Sequence, residues 1–372
     1  MGVETARTGR QPRLVSLFCG GVLATGVVLW SFTSRLELPL PTAPRAVDQW
    51  EWPPKPSTAS GEAADCRCLL QIQCPRYNFD YPQLQPGSPC TIQEFRHRSA
   101  KTCLEGRLGN FGHSSHVVLV GDLRLLYLYR YMRDELLSET ERVEGPAYCK
   151  SVHKNWTHSY LKEKRDPAQL EPPKPCHHLA INKLAKLEYY WADDNSWNTI
   201  LEPLVRRCQL GFCPSVVVVS SRLDLVLRAY DKRRELSLPE VDHIVNKTLP
   251  LLERLESYGV HVWWKPHENM LDIYSPMDIV EINEIIQQHN LRLMMALLNT
   301  KIPVWTSTGA IGWGHHQHCL SDTNRTASAD FRCTEPYYLG NWAQQQYMDI
   351  IFNFLCGRAS NMAQNPCCAG WS

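Results

Sequence analysis

The sequence has almost no net charge, since its 39 lysines and arginines balance its 38 aspartates and glutamates to within one unit. Nucleic-acid-binding proteins usually carry an excess of positive charge, so this composition gives no argument for a nucleic-acid partner. The 372 residues contain one long hydrophobic run and no second one, which leaves no pattern for several membrane-spanning helices. We see no internal repeat. The length allows one large domain or two small ones, with enough residues for a substantial core.

The long hydrophobic run, Leu14–Phe32, is uncharged and about the length of a bilayer span. Three arginines precede it, which favours a cytoplasmic N-terminus and a luminal C-terminal portion. We therefore expect a cytoplasmic tail at 1–13, a transmembrane signal anchor at 14–33 and a Pro-rich stem at 34–65. The alternative is a cleaved signal peptide, whose apolar region would be unusually long.

Cysteine is abundant after the hydrophobic run. Of the fifteen cysteines, Cys19 lies within the run and the other fourteen follow it, an even number that favours disulfides in an oxidising lumen. Three Asn-x-Thr sequons, at Asn155, Asn246 and Asn324, are available for glycosylation there. Together these features predict a single-pass type II protein of the secretory pathway.

Short apolar segments alternate with helical patterns after the stem. The predicted strands are Val117–Val120, Val216–Ser221, Val260–Trp264 and Ile302–Trp305. The predicted helices are Leu125–Leu137, Pro250–Tyr258, Asp278–Leu298 and Gln344–Leu355. This alternation predicts a three-layer α/β domain with a mostly parallel sheet covered on both faces. Sites on such sheets lie at the carboxyl ends of the strands.

The end of the first predicted strand lacks the reactive side chain that a hydrolase would present there. Val117–Val120 leads into Gly121 and Asp122, and an amphipathic helix follows directly, so the segment predicts a strand, a sharp turn and a helix. Hydrolases often present a nucleophile on such a turn. The residue at that place is Leu123, whose side chain has no lone pair with which to attack a carbonyl.

Residues 121–129, Gly-Asp-Leu-Arg-Leu-Leu-Tyr-Leu-Tyr, resemble the Gly-Asp-Ser-Arg-x-Arg-x-Leu-aromatic block of the Golgi sialic-acid O-acetyltransferase family. Leu123 stands at the position of the serine and Leu126 at that of the second arginine. Further segments are similar to the same family: Ala100–Leu104, Pro214–Ser221, Asn246–Leu255, Val260–Trp264 and the terminal cysteines from Cys356 to Cys368. The resemblance implies a luminal SGNH-hydrolase-like domain of the PC-esterase type over 66–368, on a Golgi membrane.

The resemblance also identifies what has changed at the end of the domain. The family's last block supplies an aspartate and a histidine, but no histidine follows His318 in this chain. Asp330, or alternatively Asp322, could occupy the aspartate position, and Cys333 stands where the base would be. Two parts of a Ser-His-Asp site are therefore missing from their expected positions. We expect a catalytically degenerate domain that binds a sialylated or O-acetylated glycan or serves as a structural partner subunit.

The alternative is a carbohydrate O-acetyl esterase or O-acetyltransferase with a displaced nucleophile. The displaced base would come from His315, His316 or His318, and the nucleophile from one of four serines: Ser114, Ser115, Ser220 and Ser221. The simpler interpretation of the three histidines is a solvated loop with Cys319 in a disulfide. The same cluster could hold zinc, but an oxidised cysteine is the better expectation, so we predict no metal and no cofactor.

Three residues are candidates for glycan binding. Arg124 could hold an acidic sugar, although pairing with a nearby carboxylate is the structural alternative, with Asp122 as the cap of the helix. Trp197 and Trp313 lie in polar sequence contexts and could stack on sugar rings, whereas core packing is the ordinary role of a tryptophan. The sequence gives no oligomeric state.

Overall fold

The computed structural model describes residues 70, 94–137, 176–192, 196–223, 226, 238–270, 276–321, 333 and 338–356. The chain separates into two compact units, Met1–Ala59 and Ser60–Ser372, and all of these residues belong to the second. The predicted tail, anchor and stem lie outside the described residues and stay predictions. Within the described ranges, no helix is both long and apolar enough to cross a membrane.

Five strands form one sheet in the order β2-β3-β1-β4-β5. The strands are β1 (Ser115–Gly121), β2 (His177–Ile181), β3 (Ala185–Trp191), β4 (Val216–Val219) and β5 (His261–Trp264). Strand β1 pairs in parallel with β3 and β4, and β4 pairs in parallel with β5, whereas β2 is antiparallel to β3. A single parallel bridge joins Trp264 to Val304 beyond β5.

The strand order places a topological switch point between β1 and β4. Apart from the antiparallel β2, the strands follow the spatial order β3-β1-β4-β5 and then the bridge at Val304. In chain order this is 2-1-3-4-5, a doubly wound arrangement whose connections reverse direction after the first strand. Ligands of such sheets bind in the crevice at this point, outside the carboxyl ends of the strands. Here those ends are Gly121 of β1 and Val219 of β4.

Helices cover both faces of the sheet. They are α1 (His97–Phe111), α2 (Leu123–Leu136), α3 (Trp197–Gln209), α4 (Leu238–Ser257), α5 (Pro276–Leu297), α6 (Ser307–Ser321) and α7 (Gly340–Cys356). One core cluster joins α1, α2 and α7 to one face, and a second joins α3, α4 and α5 to the other. Val216 and Val218 of β4 belong to the first cluster, and Val217 and Val219 to the second. This arrangement confirms the three-layer α/β prediction with a mostly parallel sheet.

Two strands of the sheet were not predicted from the sequence, and one predicted strand is shorter than expected. Neither β2 nor β3 was predicted, because charged and polar residues interrupt their apolar pattern. Within β3, Lys186 Nζ lies 2.6 Å from the carboxylate of Glu188, so the two charged residues of this strand pair with each other. The predicted strand Ile302–Trp305 is reduced to the single bridge at Val304.

The four predicted helices are confirmed with shifted bounds. Helix α4 begins at Leu238 rather than at Pro250, which lies inside the helix. Gly259 has a φ of 81° just after this helix, a left-handed conformation that glycine commonly adopts at a helix end. Helices α1, α3 and α6 were not predicted. Disulfide Cys103–Cys356 joins α1 to α7 across the first core.

Candidate functional site

The turn between β1 and α2 has the strand–turn–helix form that the sequence predicts. β1 ends at Gly121, Asp122 is the N-cap and α2 begins at Leu123. Asp122 Oδ1 accepts a hydrogen bond from the backbone N–H of Arg124 at 3.0 Å, which satisfies a donor left free at the helix start. A Cβ on Gly121 would lie 2.9 Å from the carbonyl oxygen of Ser220. Glycine is therefore required where β1 passes the end of β4.

Leu123, which stands at the position of the nucleophile, is a core residue. Its side chain is 5% exposed and belongs to the cluster that packs α1, α2 and α7 against the sheet. Burial of a leucine contributes about 1.5–3 kcal/mol of stability. The turn therefore presents a packed apolar side chain, and the same position that would carry out nucleophilic attack in a hydrolase here stabilises the fold.

Arg124, the next residue, belongs to a buried group of charges that we call the Glu268 cluster: Arg124, Lys265, Glu268 and Tyr347. Arg124 Nη1 donates to Glu268 Oε2 at 3.0 Å. Lys265 Nζ and the hydroxyl of Tyr347 both donate to Glu268 Oε1, the latter at 2.6 Å. All four side chains are buried. The contact with Glu268 is the structural role considered for Arg124, a pairing with a nearby carboxylate.

The Glu268 cluster keeps its carboxylate ionised. Burial alone would raise the pKa of Glu268, but Lys265 and Arg124 hold it below its usual value. Burial lowers the pKa of Lys265 against the opposing effect of Glu268. Arg124 Nε and Nη2 find no hydrogen-bond acceptor in the described part of the chain. The ion pair between Arg124 and Glu268 thus joins the carboxyl ends of β1 and β5. Arg124 Nε and Nη2 take no part in that ion pair.

Ser221, at the carboxyl end of β4, lies between two imidazole rings. Its Oγ is 3.2 Å from His267 Nε2 and 2.7 Å from His289 Nε2. His267 follows β5, and its Nδ1 lies 4.0 Å from Asp122 Oδ2, while His289 comes from α5. The structure therefore brings a serine and two histidines into hydrogen-bonding contact at the switch point of the sheet. Asp122 lies next to His267, but no hydrogen bond joins the two side chains.

The histidines proposed as a displaced base lie on α6, not on a solvated loop, which corrects that expectation. His315 and His316 are buried, and a Cβ on Gly312, one turn before His316, would lie 2.9 Å from Glu268 Cβ. Burial lowers the pKa of His315 to about 3 and that of His316 to about 4. His318 is only partly buried. The imidazoles that form hydrogen bonds with Ser221 are instead those of His267 and His289.

The structure describes only some of the candidate residues near the end of the domain. Cys319 forms a disulfide with Cys333, as predicted for Cys319, so Cys333 is not available at the position of the base. Asp322 and Asp330 lie outside the described residues. Among the residues that the structure describes, no group of three or more His, Cys, Asp or Glu side chains is arranged to hold a metal ion.

The two candidate tryptophans have opposite environments. Trp197 is 1% exposed, and its ring stacks on Trp264 at a centroid distance of 6.1 Å. Core packing leaves no ring face for a sugar, so the assignment of Trp197 to a binding groove is wrong. Trp313 is 52% exposed on α6, as an aromatic ring that stacks on a sugar must be.

The predicted glycosylation sites are described at one position only. Asn246 is exposed on α4, and the hydroxyl of Thr248 in the same sequon donates to the carbonyl oxygen of Ile244 at 2.8 Å. Asn155 and Asn324 lie outside the described residues. All three remain predicted sites.

Sequence reasoning missed the residues that complete this region. Lys265, His267 and Glu268 occur within four residues directly after β5, and such a polar run at the carboxyl end of a buried strand is a usable signal. His289 gives no such signal, because it lies inside the regular helical pattern of α5. Ser221 was named as a displaced nucleophile, but without the imidazoles that contact it.

No protein-family model matches the chain, and no curated protein matches its sequence. Among solved structures, a catalytic mutant of the acetylxylan esterase Axe2 from Geobacillus stearothermophilus is 12% identical, with 65% of this chain and 95% of that chain covered and a TM-score of 0.30. LAE5, an alpha/beta hydrolase enzyme from the metagenome of Lake Arreo, Spain, is 13% identical, with coverages of 67% and 98% and a TM-score of 0.31. The α/β fold of this chain rests on its own sheet and helices. Likenesses this distant carry no argument about substrate or mechanism.

Proposed function

We propose that the domain is a relative of the luminal domain of Golgi sialic-acid O-acetyltransferases that is degenerate at the turn carrying the family's nucleophile. The observation that carries this proposal is Leu123, which occupies the nucleophile position and is buried in the core. The neighbouring Asp122 and Arg124 are retained, but they cap α2 and bind Glu268. The turn is therefore a structural element, and ester chemistry through residue 123 is absent.

The work that we assign to the domain is recognition of a sialylated or O-acetylated glycan. Trp313 supports this role, because its ring is exposed on α6. Gln317 and Leu320 lie four and seven residues further along the same helix, which places them on the same face as Trp313. An aromatic ring with an amide one turn away offers a stacking surface and a hydrogen-bonding group to a sugar. A structural role as a partner subunit is the other outcome of the test.

The proposed setting is a Golgi or other secretory-pathway membrane, with the chain in single-pass type II orientation and its folded domain in the lumen. The sequence features that support it are the run Leu14–Phe32, the arginines before that run and the three sequons. The disulfides Cys103–Cys356 and Cys319–Cys333 are consistent with an oxidising compartment.

The test is binding of the full-length chain, in detergent, to an array of sialylated and O-acetylated glycans. We expect selective binding that Trp313→Ala reduces by at least tenfold. Phe111→Ala is the matched control, because Phe111 is a similarly exposed aromatic residue on α1. Equal binding by both variants would remove Trp313 from the site, and no binding to any glycan would leave the partner-subunit role.

A second candidate function is an esterase with a displaced nucleophile. One observation favours it: Ser221 Oγ lies within hydrogen-bonding distance of two imidazoles, and one of these faces Asp122. This arrangement meets the requirement for a base beside a nucleophile without using residue 123.

A further inference from the structure

The position of Ser221 between two imidazoles fixes which group donates to which. A hydroxyl has one proton, so Ser221 donates to one ring and accepts from the other. If Ser221 donated to His289, His267 would donate from Nε2 and turn the lone pair of its Nδ1 toward the carboxylate of Asp122, 4.0 Å away. That arrangement is electrostatically unfavourable. The network therefore assigns the Ser221 proton to His267 Nε2.

The resulting tautomer of His267 is the one that a general base requires. Its Nε2 carries the free lone pair and accepts from Ser221. Its Nδ1 lies 4.0 Å from Asp122 Oδ2, beyond hydrogen-bonding distance, and has no hydrogen-bond partner among the described residues. His289 is the neutral donor to Ser221 Oγ from its Nε2. Burial, together with His289, Arg124 and Lys265, lowers the pKa of His267 well below its ordinary value, so the ring is neutral at physiological pH, the form in which Nε2 can accept the hydrogen bond of Ser221.

Neighbouring groups hold each member of this arrangement in place. The backbone N–H of His267 donates to Asn290 Oδ1 at 3.0 Å, and Asn290 Nδ2 donates back to the His267 carbonyl oxygen at 2.6 Å. Asn290 follows His289 on α5, so one helix turn positions both rings. Asp122 Oδ2 accepts from the backbone N–H of Leu223 at 2.9 Å. Such preorganisation is a property that catalytic sites share.

The other candidate serines have different hydrogen-bond roles. Ser220 Oγ donates to the carbonyl oxygen of Ser221 at 3.2 Å. Ser115 Oγ accepts from Arg107 Nε at 2.8 Å, at the opposite end of β1. Of the serines named from the sequence, Ser221 is the one whose Oγ contacts imidazoles.

We propose that Ser221, His267 and Asp122 form a displaced serine-nucleophile centre that hydrolyses esters of small carboxylic acids, with His289 as a second hydrogen-bond donor to Ser221 Oγ. This inference rests on the second candidate function and assigns its residues. Asp122 serves two elements at once, because one oxygen caps α2 and the other faces His267.

In the proposed reaction, Ser221 Oγ bonds to the ester carbonyl carbon while its proton passes to His267 Nε2. The tetrahedral intermediate then collapses, the bond to the alcohol oxygen breaks, and His267 returns the proton to the leaving alcohol. Water, activated by His267, next attacks the acyl-serine, which releases the carboxylic acid and restores Ser221. Burial raises the pKa of Asp122, whereas Arg124 and the backbone N–H of Leu223 oppose this rise and favour the carboxylate. Its Oδ2, 4.0 Å from His267 Nδ1, is the group that would stabilise the charged imidazole. Small acyl groups are the expected substrates because Ser221 is only 2% exposed.

The test uses a small serine-reactive probe, diisopropyl fluorophosphate, on the unmodified full-length chain in detergent. We expect one adduct per chain, located by peptide mass spectrometry on Ser221. His267→Gln should slow labelling by about 10²–10⁴-fold, the usual contribution of a general base. Ser221→Ala should abolish the adduct, whereas Ser220→Ala, the matched control at the adjacent serine, should keep it. Thermal unfolding of each variant separates lost chemistry from lost folding.

Absence of an adduct on Ser221 in the folded, unmodified chain would overturn this proposal, as would an adduct on another serine with Ser221 unlabelled. Hydrolysis of 4-nitrophenyl acetate should follow the same order among the variants. Glycan binding on the same preparation is measured independently, so failure of this centre and failure of the proposed glycan-binding function give different results.

Discussion

The carboxyl ends of β1 and β4 lie side by side at the switch point of the sheet, yet they carry opposite chemistry. At the end of β1, Leu123 is packed into the core where a hydrolase of this architecture would present its nucleophile. At the end of β4, Ser221 contacts two imidazoles. Asp122 is common to both, since its two carboxylate oxygens face α2 and His267 respectively. One strand end therefore presents an apolar side chain while the neighbouring strand end stays polar.

The two strand ends also contribute to stability in different ways. Leu123 contributes apolar burial, while the polar groups around the crevice are stable only because they are paired. The Glu268 cluster joins the end of β1 to the segment after β5, since Arg124 comes from the start of α2 and Glu268 follows β5. The largest expected effects on stability therefore come from this cluster and the smallest from the outer surface.

The largest effect is expected from Glu268→Ala, which leaves Arg124 and Lys265 buried without their carboxylate. Removal of one partner of a buried ion pair costs about 3–5 kcal/mol, so the free energy of unfolding should fall by that amount in chemical denaturation. Glu202→Ala is the matched control, because Glu202 pairs with Arg206 on the exposed side of α3. The control should change stability by less than about 1 kcal/mol. Equal effects in both variants would contradict the role given to the cluster.

A smaller effect concerns pH and the β4 end. Burial lowers the pKa of His289 to about 4, so its contribution to stability is present above its ordinary value near 6.5 and is lost as the pH falls toward 4. Asp349 acts in the opposite sense, because burial raises its pKa to about 7 and its cost is relieved as the pH falls. We compare unfolding free energies at pH 7 and pH 5.

In His289→Gln, the loss of stability between these two pH values should be about 2 kcal/mol smaller than in the unmodified chain. His243→Gln is the control, since His243 is exposed on α4. The same pH dependence in His289→Gln as in the unmodified chain would show that His289 is not held neutral by the fold.

The smallest effect is expected far from both strand ends, at Asn246. Asn246→Gln should remove one endoglycosidase-sensitive step in gel mobility when the chain is expressed in secretory cells. Because Asn246 is exposed on α4, the unfolding free energy should change by no more than about 0.5 kcal/mol. Unchanged mobility would mean that this sequon is not used and would weaken the luminal assignment.

The sequence predicted the layers of the fold better than the contents of the site. Apolar runs such as Val216–Val219 identified buried strands directly, because parallel strands are covered on both faces. Strand β3 was not predicted because Lys186 and Glu188 interrupt its apolar pattern. The two side chains form their ion pair only in the folded sheet. Local patterns carry strand and helix signals, whereas the pairing of charges depends on the tertiary structure.

The same limit applies at the candidate site. The sequence identified the changed turn at Leu123, and it named Ser221 as one of several displaced nucleophiles. It placed the base among the histidines of α6, because His315 and His316 are conspicuous together. The contacts of Ser221 with His267 and His289 span 46 and 68 residues. Contacts over such separations are set by the packing of α5 and β5, which no local pattern reveals.

We propose that residue 123 is not one of the reacting groups of this domain. The most direct measurement is hydrolysis of 4-nitrophenyl acetate and O-acetylated sialic acid by the unmodified chain, Leu123→Ser and Leu123→Ala, the last of which controls for lost packing. We expect Leu123→Ser to hydrolyse both esters no faster than the unmodified chain and Leu123→Ala do, because His267 is hydrogen-bonded to Ser221. A gain of 100-fold or more in Leu123→Ser alone would contradict this proposal, because a base would then have to face the turn after β1.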